Sequence, residues 1–194
     1  MPTELTLESL LYGYSMGIFP MADDDDEIHW YSPDPRCVID LDGFRVSRSL
    51  RSTVRRGEFD IRINTAFDEV IRACADREEG TWISPEIVAV YTALHREGFA
   101  HSVECWLDGR LAGGLYGVTL GGAFFGESMF HRVTDASKVA LVALVERMRA
   151  RLFTLLDVQW ITSHLARFGA VEIPRMEYLR RLDQALTREC RFAD

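Results

Sequence analysis

Six residues, Leu155-Leu156-Asp157-Val158-Gln159-Trp160, place a carboxylate and a carboxamide two positions apart inside an apolar stretch. On a strand, residues two apart share a face, so Asp157 and Gln159 would stand side by side. Leaving either group unpaired in a hydrophobic layer costs about 1–3 kcal/mol. One chemical use follows. The acid can hold the amide through its NH2, which leaves the amide oxygen to accept from a proton-bearing nucleophile such as an amine. A polar strand face meeting water, or a structural hydrogen bond, would use the same residues without any chemistry.

Other reactive side chains carry the same double reading. Glu127 follows the apolar Ala123-Phe124-Phe125 and could pair with an amine substrate, or could be an exposed strand-end acid. Ser128 lacks the Gly-x-Ser-x-Gly elbow of a hydrolase. His101 and Cys105 sit four residues apart on a strand, too far for a dyad. Trp82 is either core or a stacking platform. No P-loop or dinucleotide fingerprint is present. The nearest approach to an acyl-CoA pyrophosphate loop, Arg110-Leu111-Ala112-Gly113-Gly114-Leu115, fails at its last position and falls inside a hairpin instead of before a helix. Cys37, Cys74, Cys105 and Cys190 form no CxxC pair, so no metal site is expected and the thiols read as those of a cytoplasmic protein.

The elements that must position these groups can be read from periodicity and punctuation. A helix starts at Thr6 with Leu7, Leu10, Leu11 and Tyr14 inward, and ends near Gly17. Ile18-Phe19-Pro20 and Trp30 to Arg36 bracket an acidic run, Asp23 to Glu27, and their three prolines predict irregular structure there. The acidic run lacks the alternate ligands and glycine turn of a calcium loop. This joint divides a small N-terminal lobe, residues 1–36, from a main body, residues 37–194. After the short apolar run Cys37 to Asp40, an arginine-rich helix is expected over Ser47 to Arg56. Phe59 to Ile63 follows as a strand, then a helix opened by Thr65, and a further one from Ser84-Pro85-Glu86 to Gly98. Strands over 101–107, 111–118, 122–129 and 155–160 come next, with hairpin turns at Asp108-Gly109 and Leu120-Gly121. A crossover helix over Ala136 to Arg151 precedes the last of them. A helical turn after Ser163 and a helix near Met176 to Glu189 close the chain. An antiparallel meander, a crossover helix and an inserted strand define an α+β fold. It is a mixed, largely antiparallel sheet flanked by helices, of the GNAT acyltransferase type, in which donor and acceptor meet where two central strands splay apart.

With 194 residues, 47% of them hydrophobic, the chain can bury a full core. No apolar run approaches the roughly 18–20 residues of a membrane span, and no secretory signal is evident. A net charge of −8 argues against a general nucleic-acid binder. The charge is uneven, however. Arg45, Arg48, Arg51, Arg55 and Arg56 share a stretch without acids, and their spacing puts several on one side of a helix as a phosphate track or a solvated face.

Several stretches, in order over nearly the whole chain, resemble the leucyl/phenylalanyl-tRNA–protein transferase family: Gly17 to Pro20, Trp30 to Arg36, Asp76 to Ile83, Gly113 to Gly117, Gly126 to Phe130, Ala136 to Lys138, Leu156 to Gln159, and His164 through Gly169-Ala170 to Arg175. The resemblance implies transfer of Leu, Phe or Met from aminoacyl-tRNA to the N-terminal Arg or Lys of a protein, tagging it for N-degron degradation, with no cofactor and no membrane partner. It implies Asp157 and Gln159 as catalytic residues, Trp82 as the adenosine-stacking aromatic and Glu127 as a substrate contact. Leu115, Met129, Leu141, Met148 and Leu156 would line an aminoacyl pocket. Arg48, Arg51, Arg55 and Arg56 fall where the family gathers tRNA-binding cations. The chain departs from the family pattern at three positions. Met21 replaces a tryptophan and Leu144 a second aromatic of the stacking clamp, while Thr162 stands where Asn is common. Family members also commonly have a longer N-terminal lobe. Three alternatives differ in kind: a GNAT-type acyl-CoA N-acyltransferase, an aminoacyl-tRNA-dependent transferase with another acceptor, and a tRNA-end or degron-binding module without turnover.

Overall fold

The computed structural model describes residues 4–78 and 80–193. Glu79, within the Asp76 to Ile83 stretch, and the first three residues lie outside them. Thr6 caps α1 (Leu7–Ser15) with a reciprocal box: its hydroxyl accepts the Ser9 N–H at 3.1 Å, and Ser9 Oγ accepts the Thr6 N–H at 2.8 Å. Gly17, at φ +72°, turns the chain into β1 (Phe19–Ala22), which pairs antiparallel with β2 (Ile28–Tyr31). The irregular structure expected around the prolines is thus confined to residues 32–35. Pro20 is tolerated because both strands of a two-stranded ribbon are edges, where a missing N–H breaks no central ladder. The acidic run is the ribbon's tip, held by Asp23 Oδ1, which accepts from the N–H groups of Asp25 and Glu27.

Next comes β3 (Arg36–Ile39), buried along its length, then α2 (Arg48–Arg56), capped by Ser47 and ended by Gly57. β4 (Asp60–Ile63) leads to α3 (Phe67–Ala75). Thr65 does not cap that helix, contrary to expectation. The buried Glu104 carboxylate, from a later strand, accepts from the N–H groups of Thr65 and Ala66 at 2.9 and 2.8 Å, and from the Thr65 hydroxyl. A carboxylate at a helix N-terminus does what a side-chain cap does, with full charge. α4 (Pro85–Arg96) starts at Ser84 as expected.

The remaining elements are β5 (Ala100–Leu107), β6 (Arg110–Leu120), β7 (Ala123–His131), α5 (Ala136–Ala150), β8 (Leu155–Gln159), α6 (Ser163–Ala166), β9 (Ala170–Ile173) and α7 (Arg175–Leu186). The β6–β7 turn is Gly121-Gly122, one residue later than expected. The main sheet runs β4-β5-β6-β7-β8-β3-β9, and only the β7–β8 pair is parallel. Strand β9 was not foreseen; its four residues carry too little alternation to read alone and exist by pairing with β3. The sheet separates two cores. On one side Leu10, Tyr14, Phe67, Ile87, Tyr91 and Tyr178 bring α1, α3, α4 and α7 together. On the other, α2 and α5 pack Leu50, Val139, Leu141 and Val145 against Cys37, Phe124 and Leu156.

The parallel pair creates the opening that the site uses. β7 and β8 pair only from Ala123↔Leu155 to Phe125↔Asp157, yet β7 continues to His131 and β8 to Gln159. Beyond Phe125 the strands part. At the same level β6 and β7 slip register between Tyr116 and Gly117. Gly117 is required there, since a Cβ would lie 2.3 Å from the Phe125 carbonyl oxygen.

Candidate active site

A cavity of about 280 Å³ opens where β7 and β8 part, lined by residues of both strands, of β6, α5 and α6, and of the N-terminal ribbon. Met21, Trp82, Leu115, Glu127, Met129, Leu141, Leu144, Leu156 and Gln159 all line it. Met148 does not; it is fully buried in the α5 core, because it faces the sheet one turn beyond Leu144. Asp157 is fully buried behind the cavity wall. Arg48, Arg51, Arg55 and Arg56 are exposed on α2, outside the lining; of the four, only Arg56 has an acidic partner among the described residues, Glu58 at 2.7 Å.

The expected acid–amide couple is wired differently from the sequence reading. Asp157 does not hold the Gln159 side chain. Its carboxylate accepts a two-pronged grip from Arg36 (Nε to Oδ1 2.9 Å, Nη2 to Oδ2 2.7 Å), the Tyr178 hydroxyl at 2.8 Å, and the backbone N–H of Gln159 at 2.9 Å. Gln159 needs that last bond. Its φ is +64°, a left-handed conformation costing a non-glycine residue about 1–3 kcal/mol, and the β3–β8 register slips beside it. The bulge turns the strand end and breaks the simple two-residue alternation.

The holder of the amide is Glu127, across the split. Gln159 Nε2 donates to Glu127 Oε1 at 3.1 Å, and the Tyr14 hydroxyl donates to the same oxygen at 2.7 Å. Tyr14 in turn shares a 2.5 Å hydroxyl contact with Tyr91. An ionised carboxylate only accepts, so the amide must show it the NH2 and turn its oxygen elsewhere. That oxygen has no partner among the described residues. Burial drives the Glu127 pKa up to about 7; bonds from Tyr14 and Gln159 pull it back, Asp157 pushes it further up, and Arg36 opposes. Glu127 is therefore a carboxylate poised to exchange a proton at neutral pH. Burial, reinforced by the Glu127 charge, holds the Tyr14 and Tyr91 hydroxyls protonated.

Among the described residues, the buried side-chain polar atoms without any hydrogen-bond partner are Tyr116 Oη, Glu127 Oε2 and His164 Nε2, and all three belong to residues lining this cavity. Native interiors rarely leave such groups orphaned except where something else completes them. Around this polar group lie Leu115, Leu141, Leu144 and Leu156 as an apolar floor, with Trp82, Met21 and Trp160 along the wall.

Arg36, Tyr14, Tyr91, Tyr178, Trp160 and His164 were not singled out from sequence as site residues. Arg36 carried a usable signal, an arginine heading an apolar run that has to be buried, and therefore in need of a buried acid. The tyrosines read as ordinary inward positions of their helices. Trp160 ends the key segment and is 41% exposed, its ring edge-on to Phe19 at 5.0 Å. It supplies an aromatic on a wall where Met21 and Leu144 do not. On the stacking role that the resemblance implies for Trp82, extended to Trp160, Trp82→Ala and Trp160→Ala should each weaken binding of a terminal adenosine by about 1–3 kcal/mol. Fluorescence titration with a non-hydrolysable donor checks this, and unchanged affinity in the Trp160 variant would leave Trp82 as the lone platform.

A largely antiparallel sheet parted between its two parallel neighbours is a GNAT-like fold. A solved fungal multi-domain β-N-acetylglucosaminidase with a GCN5-related glucosamine N-acetyltransferase region has a similar fold, at TM-score 0.50 and 10% identity over 86% of this chain and 22% of that one. The family model "Leucyl/phenylalanyl-tRNA protein transferase" matches residues 38–183, and that family's N-terminal domain model matches residues 3–34. The leucyl/phenylalanyl-tRNA–protein transferase of Herpetosiphon aurantiacus is 57% identical over 99% of this chain and 100% of its own length. Those of Gloeobacter violaceus (57%, 97% of each chain) and Salinibacter ruber (56%, 96% of this chain and 82% of the relative) are similar. The chain belongs to the leucyl/phenylalanyl-tRNA protein transferase family. Among the described residues, no helix is long and apolar enough to cross a membrane.

Proposed function

We propose that this protein moves Leu, Phe or Met from the 3′ end of aminoacyl-tRNA to the α-amine of proteins beginning with Arg or Lys, in the cytoplasm, and that the cavity between β7 and β8 is where the two substrates meet. The observation that carries this reading is the set of three orphaned polar atoms around one partly apolar cavity. The aminoacyl side chain takes the leucine-lined floor, and Trp82 stacks on the terminal base. The chemistry is ester aminolysis: the carbon–nitrogen bond forms, the ester carbon–oxygen bond breaks, and a proton passes from the amine to the ribose oxygen. An α-amine has a pKa of about 7.7–8.0, so a useful fraction is neutral near pH 7, and positioning supplies much of the acceleration. The free Gln159 oxygen accepts from the attacking amine and orients it. Glu127 Oε2 takes the proton that the nitrogen must lose. Asp157 is a positioning residue, which fixes the turned end of β8 through the Gln159 N–H. The lobe of residues 1–36 serves as one wall of the cavity through Met21, and α2 offers Arg48, Arg51, Arg55 and Arg56 to the RNA backbone.

The direct test supplies tRNA charged with labelled Leu or Phe and peptides beginning with Arg, Lys, Asp or Glu. Label is expected on the Arg and Lys peptides only. Transfer to Asp and Glu peptides instead would assign a different acceptor, and tRNA binding without transfer to any peptide would leave a binding module.

A further inference from the structure

A second cavity, also of about 280 Å³, adjoins the first and shares Met129 and His164 with it; its other lining residues are His131, Thr134, Asp135, Ser137 and Lys138. It sits at the N-terminus of α5, a helix of fifteen residues whose N-cap, Asp135, makes no side-chain cap because its carboxylate pairs with Lys138 Nζ at 2.6 Å. The N–H groups of Ser137 and Lys138 have no acceptor among the described residues, as the first turn of a helix leaves them unless something caps it. Independently, Ser137 is only 6% exposed as a residue, and its hydroxyl, which has no hydrogen-bond partner among the described residues, opens onto this cavity. His164 adds an orphaned Nε2 on the shared wall.

The electrostatics select the ligand. Burial lowers the His164 pKa, and the positive charges of Lys138, Arg167 and His131 lower it further, so the imidazole lies in a cationic field. Asp135 offsets one of the two permanent positive charges, Lys138 and Arg167, which leaves one for a ligand of single negative charge. The wall offers donors in the two first-turn N–H groups, the Ser137 hydroxyl and the Lys138 ammonium, and each imidazole can give one more. A helix N-terminus with free N–H groups suits an oxyanion, and a monoanionic one suits this balance.

We infer that this cavity holds the phosphodiester that joins the donor's terminal nucleoside to the preceding nucleotide, gripped by the Ser137 hydroxyl, the first-turn N–H groups of α5 and Lys138. The inference rests on the proposed transfer reading. It assigns to the Ala136-Ser137-Lys138 stretch the task of setting the depth at which the RNA end enters, so that the ester arrives beside Gln159.

Three donors test it: 3′-O-phenylalanyl-adenosine, which has no phosphate; 3′-O-phenylalanyl-cytidylyl-adenosine, which has one; and the same dinucleotide with a neutral methylphosphonate linkage. The charged dinucleotide should show a KM about tenfold or more below both others at similar kcat, the scale of a charge-assisted hydrogen bond. Ser137→Ala and Lys138→Met should each raise the KM of the charged dinucleotide towards that of the nucleoside, leaving nucleoside kinetics unchanged, which also reports that the variant is folded. Equal KM values for the charged and neutral dinucleotides would overturn the phosphodiester site. Competition by inorganic phosphate against the nucleoside donor, without any gain from the dinucleotide, would overturn it too, as an anion site unconnected with RNA. Failure of transfer from every donor, charged tRNA included, would instead count against the transfer reading itself.

Discussion

Glu127→Gln is expected to lower single-turnover transfer by about 10²–10⁴-fold, the usual worth of a positioned proton acceptor, while making the protein more stable above pH 7. Both effects have one cause. Burial raises the Glu127 pKa to about 7, so ionising the group costs the folded state free energy that the unfolded chain does not spend. A carboxyl whose folded pKa lies above its unfolded value of about 4.3 leaves stability intact below that value and loses it as pH rises through the folded one. The glutamine variant carries no such loss. The gap in urea midpoint between variant and wild type should therefore be absent near pH 4, grow between about 4.5 and 7, and level off above. The rate tells the complementary story. Wild-type transfer should rise through pH 7 as Glu127 ionises, with the amine's own titration beyond; the variant should keep only the second limb. A stability gap that does not change with pH would show that Glu127 is not charged at a cost, and its assignment as proton acceptor would go with it.

Much of this arrangement was legible in the sequence, for identifiable reasons. Helix starts at Thr6, Ser47 and Ser84 were readable because each is a hydroxyl cap bonding a backbone N–H three residues on, a local device. The meander showed itself through alternation and an Asp108-Gly109 turn in which both residues take positive φ. What failed were features set at long range. Thr65 looked like a cap, but the acid that does the capping comes from Glu104, 39 residues away. Asp157 and Gln159 looked like a side-chain pair because strand alternation says so. A bulge with positive φ at Gln159 cancels that rule, and no composition signal announces a bulge at a glutamine. Each member of the pair instead finds its partner elsewhere in the chain, Arg36 for Asp157 and Glu127 for Gln159. The apolar positions fared better: of Leu115, Met129, Leu141, Met148 and Leu156, all but Met148 line the cavity, since apolar side chains around a sheet opening need only the right face, not the right partner.

Arg36→Ala carries the largest expected cost in stability. The guanidinium is 1% exposed and Asp157 is fully buried, so removing one member strands a charge in the interior, at about 3–5 kcal/mol. Against a total stability of about 5–15 kcal/mol, that approaches unfolding at assay temperature. Arg36 also bonds the Gly17 carbonyl at 3.0 Å and lies between the rings of Phe19 and Tyr178, at 4.7 and 4.6 Å. It thus ties the N-terminal ribbon, β8 and α7 together behind the cavity. Lysine cannot replace a planar fork held from both faces, and Arg36→Lys should recover only part of the loss. The decisive comparison is the pair Arg36→Met with Asp157→Leu, which removes both charges. Its urea midpoint should return towards wild type, because an apolar pair in place of a buried ion pair leaves no stranded charge. Transfer should nevertheless stay down by about 10²-fold, because the Gln159 N–H has then lost the acceptor that fixes its left-handed turn, and an ångström at the amide oxygen is worth that much. A double variant that folded and transferred at the wild-type rate would show that the ion pair holds the structure together without aiming Gln159.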